Sequence, residues 1–213
     1  MRPKGIVLAS TSPYRRDLLS RLGFPFRCVS PPYEERRFDT RDDMTPAAAA
    51  AIALEHALGK AQSLGPSSRD ELVIASDQVC ECEGRILEKA GTEERAVRQL
   101  LYLSGKEHRL HTAVAVLRVP DGGPDGTGHG VVTTRVQMRR LTEAQIRFYV
   151  SKERPLDSAG SYYSETLGIA LFERFETPDP TAIIGLPLTL VCSLLEEAGV
   201  DVLNPETWPE GGS

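Results

Sequence analysis

Ser10, Ser12, Arg15 and Arg16 fall close together in the run Leu8-Ala9-Ser10-Thr11-Ser12-Pro13-Tyr14-Arg15-Arg16-Asp17-Leu18-Leu19. Two hydroxyls and two guanidiniums at this spacing suit an anion, phosphate above all. Ile6, Val7 and Leu8 read as the end of a buried strand. Ser12 is a good N-cap, and Pro13 takes the first helical position, where its missing N–H costs nothing. The unpaired N–H groups of that helix start would point at the same spot. No glycine lies between Leu8 and Arg16, so the turn is neither a Walker loop nor a dinucleotide loop. Ser-Pro helix starts are common and a double arginine also suits a solvated face. The segment by itself leaves both readings open.

Other candidates are scattered along the chain. Asp77 follows the apolar run Leu72–Ala75, and a carboxylate at the carboxyl end of a buried strand is a usual place for a base or metal ligand. It suits a turn or helix cap equally. Glu34 and Glu35 sit in a charged loop. Lys60 lies late in a long helical pattern, and Lys89 follows a small hairpin; each could be an ordinary surface charge. Tyr14, Gln78 and Glu165 are individually weak signals. His56, His108, His111 and His129 have no metal-ligand spacing and read as structural or exposed. Cys80 and Cys82 form C-x-C, which in a strand puts both on one side and points to core packing rather than zinc or redox chemistry.

The elements that must position these residues read as mixed α/β. Residues 26–30 form a short second strand. Thr45-Pro46 caps an alanine-rich helix to about Ser63, ended by Gly65-Pro66. Leu72–Ala75 is a short strand, and Glu83-Gly84 turns a hairpin between Val79–Cys82 and Ile86–Leu87. Thr92 caps a helix to about Leu103. Two long strands, His108–Val119 and Val131–Arg140, flank Asp121–Gly130, whose five glycines suit a hairpin loop better than a phosphate cradle, since no helix follows. Thr142 caps a helix to about Ser151, residues 169–173 make a late strand, and Pro187 opens a last helix to about Glu197. Residues 1–204 read as one catalytic domain and 205–213 as a flexible tail, frayed from Trp208.

The 213 residues suit one α/β domain or two joined lobes, and the formal charge of −5 argues against a nonspecific nucleic-acid binder. No apolar run approaches a membrane span and no targeting segment is evident. A reduced, cytoplasmic setting is the default for these four cysteines.

The N-terminal run resembles the signature of the Maf family of nucleotide pyrophosphatases. The resemblance continues through Ser76-Asp77-Gln78-Val79, Ala159-Gly160-Ser161, Leu171-Phe172-Glu173-Arg174 and Ile184-Gly185-Leu186-Pro187, and so covers almost the whole chain. It implies an elongated mixed sheet with flanking helices and two lobes around a cleft, similar to the inosine-triphosphate pyrophosphatase fold. It implies hydrolysis of a nucleoside triphosphate to the monophosphate and pyrophosphate, with Asp77 activating water. Ser10, Ser12, Arg15, Arg16, Lys60 and Lys89 would bind the triphosphate. Glu35 and Asp77 would hold a divalent metal, Mg²⁺ or Mn²⁺. Around Lys89 the family commonly has Gly-Lys-Pro, whereas this chain has Glu88-Lys89-Ala90. Tyr14, Gln78 and Glu165 resemble the family branch that acts on 7-methyl-GTP, rather than the dTTP and UTP branch. The resemblance also allows a homodimer, and it suggests neither a membrane nor a stable nucleic-acid partner.

Overall fold

The computed structural model describes residues 2–35, 44–64, 68, 70–118 and 128–209. The chain runs β1 (Gly5–Ala9), α1 (Pro13–Ser20), β2 (Arg27–Val29), α2 (Pro46–Ser63), β3 (Glu71–Cys82) and β4 (Arg85–Ile86). Then follow α3 (Glu93–Leu103), β5 (Glu107–Arg118), β6 (His129–Met138), α4 (Glu143–Glu153), β7 (Phe172–Glu176) and α5 (Leu188–Glu197). Among the described residues no helix is long and apolar enough to cross a membrane.

The expected caps form. Ser12, Thr45, Thr92 and Thr142 each accept a backbone N–H from the first turn of α1, α2, α3 and α4. Each satisfies one of the donors that a helix start leaves unpaired. Thr142 and Gln145 complete a reciprocal capping box.

The seven strands form one mixed sheet in the order β2-β1-β3-β5-β6-β7, with β4 paired to β3. β1 is parallel to β2 and β3, and the remaining pairs are antiparallel. β1 accompanies β3 only as far as Leu8↔Ile74, and β4 pairs with β3 only from Glu81↔Ile86 to Cys82↔Arg85. Between those points, among the described residues, that edge of β3 carries no strand. The cleft opens there.

Three differences from the sequence reading have physical causes. The two strands expected at Leu72–Ala75 and Val79–Cys82 are one strand of 12 residues, because β5 pairs with it unbroken from Leu72↔Arg118 to Glu81↔Arg109. Asp77 therefore sits in mid-strand, not at a strand end. The late strand starts at Phe172, since Leu167–Leu171 closes into a 3₁₀ turn. Finally, Trp208, expected to begin a frayed tail, meets Phe24 edge-on with ring centroids 6.3 Å apart, after one helical turn at Pro205–Thr207 in which Pro205 and Glu206 are exposed. Gly65-Pro66 and most of the glycine-rich connection, 119–127, lie outside the described residues.

Apolar side chains gather in three clusters. One joins α2 to a sheet face through Ala53, Ala57, Val73 and Ala75. A second joins α1 and α5 to the opposite face through Leu18, Ile74, Val114 and Leu194. The third packs α3 and α4 against the far half of the sheet and contains Cys80 and Cys82, both fully buried as the C-x-C spacing predicts. β3 and β5 run through both halves and carry the cleft between them.

Candidate active site

Alternation along β3 sends Asp77 toward α2 and its neighbours Ser76 and Gln78 toward the opposite face. α2 buries His56 and Lys60, which stand one turn apart. Lys60 Nζ lies 2.6 Å from Asp77 Oδ1 and 2.6 Å from Glu35 Oε1, so one ammonium bridges two carboxylates. His56 Nδ1 stands 3.4 Å from Asp77 Oδ2. Burial by itself would raise the Asp77 carboxyl, but the hydrogen bond with His56 and the charges of Lys60 and Arg15 hold it below its usual value. Burial acts against Glu35 in the same way, and Lys60, with help from Lys89, again reverses the balance.

Glu35 reaches Lys60 because the loop before it lies close on α2. A Cβ at Gly59 would fall 2.2 Å from the Tyr33 ring, so only glycine admits that ring. Tyr33 also meets His56 edge-on, with centroids 6.0 Å apart.

On the other face, one carbonyl organises the site. Gly185 O accepts from Arg15 Nε at 3.0 Å and from Ser76 Oγ at 2.8 Å. Gly185 has a φ of 121°, which a side chain would strain. The segment before it is pinned by Gln78, whose Nε2 donates to Ala182 O and Thr112 Oγ1, each at 2.9 Å. Asp179 anchors both ends of that segment. Its carboxylate accepts from Thr181 N and Thr189 N, each at 2.8 Å, and from both threonine hydroxyls. Burial opposes that ionisation, yet these donors hold Asp179 below the usual value. At the start of α1, Ser10 Oγ accepts from Ser12 N at 3.1 Å, while Ser12 is spent on its capping bond.

A cleft of about 930 Å³ joins these groups. Ser10, Ser12, Tyr14, Arg15, Glu35, Lys60, Asp77, Gln78, Lys89 and Glu165 all line it. Arg16 does not line it: one helical step past Arg15 turns its exposed side chain away, and its charge is felt instead by Cys28. The cleft has two unlike ends. Arg15, Lys60 and Lys89 supply cations around Asp77. At the other end the Tyr14 and Tyr163 rings lie 5.2 Å apart, tilted by 33°, with Asp157 and exposed Glu165 beside them.

Among the lining residues that the sequence reading did not single out for the site are His56, Arg95, Asp157 and Tyr163. His56 was expected to be structural or exposed, yet it touches the Asp77 carboxylate; its spacing of one turn from Lys60 was the available signal. Tyr163 and Asp157 carried none, because no local pattern relates them to Tyr14.

The donor set fits a hard divalent cation of limited kind. Among the described residues no three His, Cys, Asp or Glu side chains form a metal cluster. Glu35 and Asp77 do share one cation position, which Lys60 Nζ takes. Mg²⁺ needs only one or two carboxylates when phosphate and water oxygens complete its shell.

Comparison with known proteins finds full-length relatives. A curated protein of Thiobacillus denitrificans named "7-methyl-GTP pyrophosphatase" is 46% identical over 206 residues, covering 96% of this chain and 96% of that protein. Another of the same name, from Syntrophotalea carbinolica, is 44% identical over 205 residues, covering 95% and 99%. A third, from Xanthomonas axonopodis, is 41% identical over 197 residues, covering 92% and 98%. A solved chain titled "The structure of the Staphylococcus aureus Ham1 protein" shares 18% identity, covering 78% of this chain and 90% of that one, at a TM-score of 0.41, too slight a likeness to carry weight. The Maf-like protein family profile matches residues 5–198, and so takes in every element that builds the cleft, from β1 to α5. With relatives this similar along nearly their whole length, the chain belongs to the Maf-like protein family.

Proposed function

We propose that this protein hydrolyses 7-methyl-GTP to 7-methyl-GMP and pyrophosphate. The carrying observation is a single cleft with a buried, charge-braced Asp77 among cations at one end and an aromatic, acidic wall at the other. The first end suits a triphosphate, and the second suits a base that is both flat and positively charged. The names of the relatives support the same substrate.

In the reaction a water oxygen bonds to the α-phosphorus, the bridge to the β-phosphate breaks, and pyrophosphate leaves with the electron pair. Arg15, Lys60 and Lys89 offset the phosphate charge, which grows on the leaving oxygens. Asp77 orients the water and accepts its proton. A divalent cation held by Glu35 and Asp77 would acidify the water and neutralise phosphate oxygens. Gln78 braces the Ala182–Gly185 segment and, through it, the Gly185 carbonyl that holds Arg15.

The test is kcat/KM for 7-methyl-GTP, GTP, UTP and dTTP with Mg²⁺ or Mn²⁺, with products followed by phosphorus NMR. We expect 7-methyl-GTP to lead and pyrophosphate to appear with the monophosphate. Orthophosphate appearing first would overturn the reaction. A lead for UTP or dTTP would overturn the substrate, and no turnover at all would make the protein a nucleotide-binding one.

A further inference from the structure

Tyr14 does not stand alone at the base end. Its ring meets the Tyr163 ring at 5.2 Å, and Tyr163 is held from two sides. The Tyr163 phenol donates to Asp157 Oδ1, and the Tyr163 N–H donates to the Tyr149 hydroxyl at 3.0 Å. Tyr149 is buried in α4 and belongs to the core of the far half. The second ring is thus fixed through the core, although it comes from an irregular segment between Gly160 and Leu167.

The charge around the pair is one-sided. Burial raises the Tyr14 phenol, and the carboxylates of Glu165, Asp157 and Glu153 raise it further. Burial and Asp157 act on Tyr163 in the same direction. Asp157 and Glu165 both line the cleft with the two rings. An aromatic face already attracts a cation through its quadrupole, and carboxylates behind it add to that attraction. A neutral base gains the stacking without the charge term.

We propose that Tyr163 is a second specificity residue, contacting the base beside Tyr14, and that Asp157 is the positioning residue that fixes Tyr163 and adds negative charge behind it. This inference rests on the substrate reading above, because it needs a cationic base. It assigns roles to two residues that the N-terminal signature and the Asp77 motif do not reach.

The experiment measures kcat/KM for 7-methyl-GTP and for GTP in the native protein and in Tyr163→Leu, Tyr163→Phe and Asp157→Asn. Asp157→Asn keeps a hydrogen-bond acceptor and removes the charge. It should lower kcat/KM for 7-methyl-GTP about two- to tenfold more than that for GTP, through KM. Tyr163→Leu should lower the 7-methyl-GTP to GTP ratio by at least as much, and Tyr163→Phe, which keeps the ring but loses its bond to Asp157, should fall between Tyr163→Leu and the native protein. Ratios equal to the native one in both Asp157→Asn and Tyr163→Leu would overturn the inference. So would an equal loss on both nucleotides, which marks a structural role. A native protein that does not prefer the methylated nucleotide removes the substrate reading itself, and that result is seen before any variant is made.

Discussion

The two ends of the cleft are built differently. The phosphate end rests on regular elements. Asp77 is in mid-β3, His56 and Lys60 are on one face of α2, and Arg15 is in the first turn of α1, tied to Gly185. At the base end Tyr14 shares α1, but Tyr163, Asp157 and Glu165 come from the short turns between α4 and β7, where the Tyr163 phenol is bonded to Asp157 and its N–H to Tyr149. A rigid end suits groups that every nucleoside triphosphate shares. An irregular end lets the recognised base change without disturbing the chemistry. The difference predicts that damage to the phosphate end lowers all activities together, and damage to the base end changes their ratio.

The largest effect is expected from Asp77→Asn. Asparagine keeps the shape and loses the base, so kcat should fall about 10²–10⁴-fold for every nucleotide. Far-UV circular dichroism should match the native protein. Near-native turnover would make Asp77 structural and erase the distinction between the ends.

Acid should weaken the base end first. His108 is fully buried, with Nε2 2.8 Å from the hydroxyl of Tyr162, which lies next to Tyr163. Burial pushes its imidazole down to about 4 in the folded protein, against about 6.5 in the unfolded chain. Between those values the unfolded chain holds the proton and the folded chain does not. Stability is therefore lost as pH falls through that window, by up to ~3 kcal/mol, from about 6.5 to about 4. Asp77 and Glu35 behave otherwise. Each is held below its usual value, so its contribution persists above the unfolded pKa and is lost only as pH falls through the lower, folded one. Hydrogen exchange from pH 7 to 4.5 should show protection falling around residues 159–163 before it falls around residues 75–79. The reverse order would contradict the comparison.

Gly59→Ala separates positioning from stability. The added methyl displaces Tyr33 and with it the loop that carries Glu35. A misplacement of about 1 Å near a reacting group can cost about 10²-fold, and that loss should fall equally on all nucleotides. Alanine also favours the helix by roughly 0.5–1 kcal/mol, so the melting temperature should change little. A fall in melting temperature without loss of activity would show that Tyr33 serves packing alone.

The smallest effect belongs to Tyr14→Arg. A cation–π term of about 0.5–2 kcal/mol corresponds to a two- to thirtyfold preference for the methylated nucleotide. The variant should reduce that preference through like-charge repulsion and spare UTP relatively. An unchanged ratio of kcat/KM values would move base recognition away from Tyr14.

Local signals determined much of this protein. Ser12-Pro13 starts α1 and Thr45-Pro46 starts α2 because side-chain capping acts within four residues. The spaced motifs from Ser10 to Pro187 led to the family, which the profile match now shows. They also led to most of the residues that line the cleft. Tertiary structure decided what depends on partners far along the chain. β3 continues through Asp77 only because β5 pairs along its whole length, and hydrogen bonds between strands leave no mark in either strand alone. Arg15 enters the cleft and Arg16 leaves it because Gly185, 170 residues away, offers a carbonyl to the first and not to the second. His56 came to line the cleft when β3 brought Asp77 against α2, and Tyr163 did so when Asp157 and Tyr149 fixed it beside Tyr14. Burial strengthens each of these contacts, and burial is a property of the packed chain that residue spacing does not contain.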